Sequence, residues 1–219
     1  MPRETFQQQL DQLHVKLVTM GSQVDTALEQ TIQAFETQNV QQAEEVIKND
    51  AEINDARRAI ESACFTLLLR QQPVASDLRN VSAALQIVTE LERIGDQAAD
   101  IAELICSLKD RLDAFHLVHH IPQMARCAKA MLHDALLSYI NNDAELAQKV
   151  MRDDDQVDDL FNKVKFEVAE QMHQPDRIDN CIDILMIAKY LERIGDHAVN
   201  ICEWLEFAQT GSIHDKQLL

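Results

Sequence analysis

The stretch Leu91-Glu92-Arg93-Ile94-Gly95-Asp96-Gln97-Ala98-Ala99-Asp100-Ile101 returns one hundred positions later as Leu191-Glu192-Arg193-Ile194-Gly195-Asp196-His197-Ala198-Val199-Asn200-Ile201. A return of this length marks a duplicated half, so the fold of one half must be repeated by the other. In each copy Glu, Asp and Asp or Asn stand at i, i+4 and i+8, a spacing that drifts by about 40° per step on a helix and stacks the side chains on one face. Like charges at i and i+4 destabilise a helix by roughly 0.2–0.5 kcal/mol per pair, so each stripe calls for a counter-charge. Gly95 and Gly195 add a further loss of about 1 kcal/mol relative to Ala. The usual reason for such a glycine is the close approach of a neighbouring helix.

The rest of the chain extends the helical reading. Only four Gly and four Pro occur in 219 residues, and aromatic residues make up 5%, a composition that favours helices over strands. Phe6, Leu10, Leu13, Leu17, Val24, Leu28, Ile32 and Phe35 draw one apolar stripe in steps of mostly three and four, which predicts a first helix from Thr5 to about Thr37. A second amphipathic run follows Gln38-Asn39, from about Val40 to Gln71, and Pro73 ends it. A third, from Ser76 or Asp77 to Leu108, carries the first motif copy in its C-terminal half. Short turns make neighbours antiparallel, so these three helices form an up-down-up bundle.

From Lys109 to His120 the chain is charged and poorly periodic, and the boundary between halves is set there, with residues 1–110 as the first bundle and 111–219 as the second. The pattern then restarts. Met20, Phe35, Ala43, Val46 and Asp50 map at a constant offset of 104 onto Met124, Tyr139, Ala147, Val150 and Asp154, and Gln72-Pro73 maps onto Gln174-Pro175. Helices are predicted over Pro122 to Asn141, Asp143 to His173 and Asp176 to Thr210. The expected fold is all-α: two tandem homologous three-helix bundles, six long antiparallel helices, and no sheet.

An antiparallel hairpin sets residues equidistant from its turn at one height. The turn near Pro73 and Ala75 therefore puts Asp96 level with about position 52, between Asp50 and Asn54. Around Pro175 the same construction puts Asp196 level with about position 154, where Asp154 and Asp158 stand. Each half then offers two stripes of oxygen ligands on adjacent helices, which suits a hard cation that collects several carboxylates at just over 2 Å. A single stripe of this kind is more often a solvated face, with Arg93 and Arg193 in exposed ion pairs of little worth. Repetition of the whole motif, glycine included, favours a cation site.

Other chemistries find less support. The formal net charge of −17 argues against binding along a nucleic-acid backbone and suits cations or basic partners. No apolar signal region opens the chain, and no stretch approaches the ~20 apolar residues of a membrane span, so a soluble cytoplasmic protein without membrane insertion is expected. Cys64, Cys106, Cys127, Cys181 and Cys202 make no C-x-x-C pair and read as buried free thiols, and neither carboxylate stripe is flanked by Cys at ligand spacing, so zinc of the structural-finger type is not expected. Three residues after Glu92 and Glu192 stand glycines, so the Glu-x-x-His of a ferritin-like di-metal centre is missing there; Glu170 and His173 have that spacing once, at a helix end. Nothing singles out His119, His120 or His133 for phosphoryl transfer. There is no Gly-rich phosphate loop and no nucleophile elbow, and no catalytic residue is assigned.

The two copies Glu92-Arg93-Ile94-Gly95-Asp96 and Glu192-Arg193-Ile194-Gly195-Asp196-His197, each followed by Ile after an Asp or Asn, resemble the signature of the PhoU family of bacterial phosphate-uptake regulators. Met20-Gly21, Val46-Ile47-Lys48-Asn49-Asp50 before Ile53-Asn54, and Gln72-Pro73 with Asp77-Leu78-Arg79 support it, and the resemblance runs from about Phe6 to Glu206. It implies two similar three-helix bundles whose E/D-x-x-x-D helices bind metal ions, including multi-iron clusters. Carried over position by position, the ligands are Glu92, Asp96 and Asp100 in the first half and Glu192, Asp196 and Asn200 in the second. The hairpin geometry adds Asp50, Asp154 and Asp158. Gln97 and Asp100 stand where the second copy has His197 and Asn200, so the two sites differ in charge.

The implied cofactor is a divalent or ferric ion, with iron, manganese, magnesium and zinc all open. The implied role is that of an adaptor, not an enzyme. It links the ATPase subunit of a phosphate ABC transporter to a sensor histidine kinase and limits uptake when phosphate is ample. A di-iron oxidase, a metal-storage protein and a metal-free helical adaptor remain alternatives, and homodimer formation is left open.

Overall fold

The computed structural model describes the backbone of residues 2–108, 118–213 and 216–217, and side chains over 6–108 and 118–213. Six α-helices carry the fold: α1 (Pro2–Thr37), α2 (Val40–Gln71), α3 (Ser76–Ser107), α4 (Ile121–Asn141), α5 (Ala144–Gln171) and α6 (Ile178–Thr210). The limits expected for α2 match, because Asn39 caps it by accepting from the Gln42 N–H at 3.2 Å and Gln72 turns left-handed before Pro73. Asp143, expected as the first residue of α5, is instead its N-cap, and its carboxylate accepts from the N–H groups of Glu145 and Leu146 at 3.0 Å. Helix α5 stops at Gln171 rather than His173. Pro175–Arg177 forms a 3-10 turn ahead of α6, where one continuous helix was expected. The boundary placed between residues 110 and 111 lies outside the described residues.

One departure concerns the sheet. After α6 ends at the left-handed Gly211, Ser212–Ile213 (β1) pairs antiparallel with Lys216–Gln217 (β2) in a two-rung hairpin at the edge of the molecule. No strand enters the core among the described residues.

Helices α1, α2 and α3 pack on one another, as do α4, α5 and α6. The halves then meet along two antiparallel seams, α3 against α6 and α1 against α4, and their buried residues form a single hydrophobic cluster. On the α1–α4 seam a Cβ at Gly21 would stand 2.5 Å from a Leu136 methyl, so glycine sets how near these helices come. Further along, Asp25 faces His133 at 3.7 Å, Glu29 faces Lys129 at 3.1 Å and Glu36 faces Arg126 at 3.5 Å. Acid on α1 and base on α4 thus form a ladder that fixes the seam's direction. Each exposed rung contributes little, and as a set they penalise the reverse pairing. All five cysteines are free; Cys64, Cys181 and Cys202 are buried as expected, whereas Cys106 and Cys127 are half-exposed.

Candidate metal centres

The motif copies lie in the C-terminal half of α3 and the middle of α6, each facing the preceding helix of its own half. Gly95 lets α2 close in: a Cβ there would stand 3.2 Å from two side-chain carbons of Ile53 and 3.7 Å from Asp50 Oδ1. At Gly195 the Cβ would stand 3.2 Å from Asp154 Oδ1. Both glycines therefore sit where a carboxylate from the antiparallel neighbour reaches over, and the hairpin heights are those the turns at Pro73 and Pro175 set.

Burial and crowding raise several of these carboxyls, although Asp158 and Asp196 are exposed. Burial first, then the charges of Glu92, Asp50 and Asp100, pushes Asp96 up to about 6. Asp50 is raised by burial and by Glu92, against a hydrogen bond donated by Asn54 Nδ2 to its Oδ2 at 2.7 Å. Its other oxygen, Oδ1, is buried with no hydrogen-bond partner. In the second half burial, followed by Asp196 and Asp158, pushes Asp154 up to about 6, and Asp196 is raised by burial and by Glu192. The structure thus gathers Asp50, Glu92, Asp96 and Asp100 into one electrostatic cluster and Asp154, Asp158, Glu192 and Asp196 into another.

The counter-charges called for by the stripes are present, and they come from different places. Glu92 pairs with Arg57 of α2, which also bonds Glu61 at 2.9 Å. Glu192 pairs with Lys189 of its own helix, whose Nζ lies 5.4 Å from the centre of the Phe161 ring. Arg93 and Arg193 are not these partners. Sequence reasoning missed Arg57 and Lys189 because neither belongs to the duplicated motif: position 161, offset from Arg57 by 104, is Phe, and position 89, offset from Lys189 by 100, is Thr.

The residues after the glycines behave differently from the stripe expected. His197 Nδ1 lies 2.7 Å from Glu90 Oε2, and Asn200 Nδ2 donates to the same oxygen at 3.0 Å. The Asn200 amide nitrogen is thus engaged across the α3–α6 seam, a bond that leaves out its Oδ1, the oxygen a cation would take. Burial drives the Glu90 carboxyl up, but the bonds from His197 and Asn200 and the charge of His197 outweigh it, leaving Glu90 below the ordinary range. The related contact at the other end of the seam joins the Tyr190 hydroxyl, as donor, to Asp100, with Arg193 close by. Position 90 or 190 of one half thus meets position 200 or 100 of the other. Glu90 was not singled out in the sequence; the one signal was that its counterpart in the second copy is the dissimilar Tyr190.

A hard cation fits what is here. Asp50 Oδ1 is a buried anionic oxygen lacking a donor, and buried polar atoms without a partner ask for one. Several raised carboxyls within reach of one another supply the oxygen-only environment that such ions take. The side chains are not drawn together as a finished shell: among the described residues no three Asp, Glu, His or Cys side chains form a ready metal-holding group. Glu92 and Glu192 are turned to Arg57 and Lys189 instead.

Comparison with known proteins agrees with this architecture. The PhoU domain profile matches twice, over residues 17–105 and 121–205, one match per half. A protein of Clostridium acetobutylicum described as a phosphate-specific transport system accessory protein PhoU homolog is 36% identical, covering 96% of this chain and 97% of that one. The phosphate-specific transport system accessory protein PhoU of Escherichia coli strain K12 is 32% identical, covering 94% of this chain and 86% of its own. Among solved structures, PhoU from Pseudomonas aeruginosa superposes with a TM-score of 0.90 at 29% identity, covering 94% of this chain and 100% of that chain. The phosphate transport system regulatory protein PhoU from Streptococcus pneumoniae gives 0.86 at 30% identity, covering 96% and 99%. With a tandem pair of PhoU domains spanning nearly its whole length, the chain belongs to the PhoU family.

Proposed function

We propose that this protein is a cytoplasmic negative regulator of phosphate uptake and of phosphate-responsive signalling. It acts as a helical adaptor between the ATPase subunit of a phosphate ABC transporter and a sensor histidine kinase, with no chemistry of its own. The observation that carries this reading is the match, over nearly the full length of both chains, to accessory proteins of phosphate-specific transport. Two further features support it. The formal net charge of −17 suits docking on basic protein surfaces. No helix of the described residues is long and apolar enough to cross a membrane, which suits a protein that visits a transporter from one side.

In this reading Asp50, Glu92, Asp96 and Asp100 hold a cation in the first half, and Asp154, Asp158, Glu192 and Asp196 hold one in the second. Divalent or ferric ions fit these oxygen donors, and what a bound ion supplies is neutralisation of the crowded carboxylates. Asn200 adds its Oδ1 to the second site while its Nδ2 holds the seam beside it. A deletion strain tests the regulatory role. Phosphate uptake and a phosphate-regulated reporter should stay switched on in high phosphate and be repressed again when the natural chain is restored. Ordinary repression in the deletion strain overturns the reading.

A further inference from the structure

The duplication supplies an internal control for the surface of α6. Ile178, Ile182 and Met186 stand at i, i+4 and i+8 and are 40%, 48% and 38% exposed. With half-buried Leu185 beside them they make an apolar strip about 12 Å long at 1.5 Å per residue. In the first half the corresponding positions, one hundred earlier, hold Leu78, Ser82 and Gln86, so a three-helix unit of this design does not need apolar side chains at the last two. The charged neighbours differ as well. Asp179 and Asp183 flank the strip on the side facing α3, where Ser107 Oγ donates to Asp183 at 3.3 Å; their counterparts are Arg79 and Ala83. Arg79 is turned in to the Ala208 carbonyl at 3.4 Å. The apolar side chains at 182 and 186 and the acidic rim therefore belong to the second half alone.

We propose that this face of α6 is a docking surface for a basic amphipathic helix of a partner protein. Two turns of exposed Ile, Ile and Met take the apolar side chains at i, i+3 or i+4 and i+7 of such a helix, and methionine adapts to side chains of different shape. The partner's Lys or Arg residues then meet exposed Asp179, which sets its orientation. Charge complementarity selects this occupant over a second copy of the chain, since two copies would bring the same acidic rims together. The inference rests on the adaptor reading and names the surface through which one of its contacts is made.

The experiment places first-half residues on the strip. Ile182→Ser with Met186→Gln removes the apolar surface, and Asp179→Arg reverses the rim. The probe is a fluorescein-labelled 18-residue peptide of Leu and Lys with its leucines on one helical face, and the control is a peptide of the same composition scrambled so that no apolar face forms. The amphipathic peptide should bind the natural chain more tightly than the scrambled one does. Ile182→Ser/Met186→Gln should weaken the amphipathic peptide at least tenfold and leave the scrambled one unchanged, while Asp179→Arg weakens both. Circular dichroism should report an unchanged fold, since Ser82 and Gln86 already occupy such positions. Equal binding of the amphipathic peptide to the natural chain and the Ser/Gln variant overturns the proposal.

A second arm separates this idea from the reading beneath it. In a deletion strain, failure of the Ile182→Ser/Met186→Gln variant to restore phosphate repression, where the natural chain restores it, supports the surface. Full restoration by the variant overturns the surface and leaves the adaptor standing. Failure of the natural chain itself takes both down.

Discussion

Asp96 and Asp154 are the side chains on which the cation reading turns, since burial and their acidic neighbours push both up to about 6. An unfolded Asp titrates near 3.9, so between roughly pH 4 and 6 the folded chain binds more protons than the unfolded one. These two groups therefore contribute stability below about pH 4 that is lost as pH rises through 6. Asp96→Asn with Asp154→Asn should make the chelator-treated protein more stable at pH 7, by on the order of 1 kcal/mol after allowance for solvent screening. That corresponds to a Tm higher by about 2–4 °C for a chain of this size. Calorimetry at several pH values should also find a flatter profile between pH 4 and 6; an unaltered profile would mean that the carboxylates are solvated and uncoupled.

Metal content gives the complementary measurement. Asp96→Ala with Asp196→Ala should lose most bound metal by elemental analysis at unchanged helicity, and undiminished metal would return the stripes to the status of a solvated face. The two glycines make a finer contrast. An added methyl at Gly95 meets two carbons of buried Ile53 at 3.2 Å, whereas at Gly195 it meets one carboxylate oxygen at 3.2 Å and the flexible end of Met131 at 3.6 Å. Gly195→Ala should therefore be the more stable of the two variants in denaturant titration, because it keeps the helix-propensity gain of about 1 kcal/mol that overpacking removes from Gly95→Ala.

At the scale of elements, the α3–α6 seam encloses one buried carboxylate, Glu90, among its apolar contacts. Glu90→Ala takes away the acceptor shared by His197 and Asn200 and should destabilise the protein by about 1–3 kcal/mol. Since the folded Glu90 carboxyl lies below its ordinary range, its contribution is present at neutral pH and is lost as pH falls through the folded value. Glu90→Gln should accordingly show a shallower loss of stability in acid than the natural chain, measured by urea titration from pH 6 down to 3. This seam was the part of the structure least legible in the sequence. Helix limits and hairpin heights follow from local signals: the apolar period, Asn39, Pro73, Pro175. They placed Asp50 beside Asp96 and Asp154 beside Asp196 without any knowledge of tertiary packing. Which face of α3 meets α6 depends on two surfaces far apart in the chain. Glu90 stands about 200° around the helix from Glu92, off the repeated stripe, and the amide of Asn200 goes to it although the repeat aligns Asn200 with Asp100.

At the scale of the whole molecule, one continuous core and two antiparallel seams make the halves interdependent. Thermal unfolding should follow a single transition with matching calorimetric and van't Hoff enthalpies; two resolved transitions would mean that each half is stable alone. Residues 1–108 expressed alone should self-associate or stay unfolded in sedimentation and circular dichroism, because the face of α3 bearing Glu90 and Gln97 loses its cover. An interface in which position 90 of one half meets position 200 of the other, while 190 meets 100, has the isologous pattern of a two-fold dimer. Two identical half-length chains meeting in this way would have to satisfy both ends of the interface with a single sequence. Two halves joined in one chain are free of that constraint: here one end is Glu90 with His197 and Asn200, the other Tyr190 with Asp100. A single gene thus lets a two-fold seam carry a different chemistry at each end.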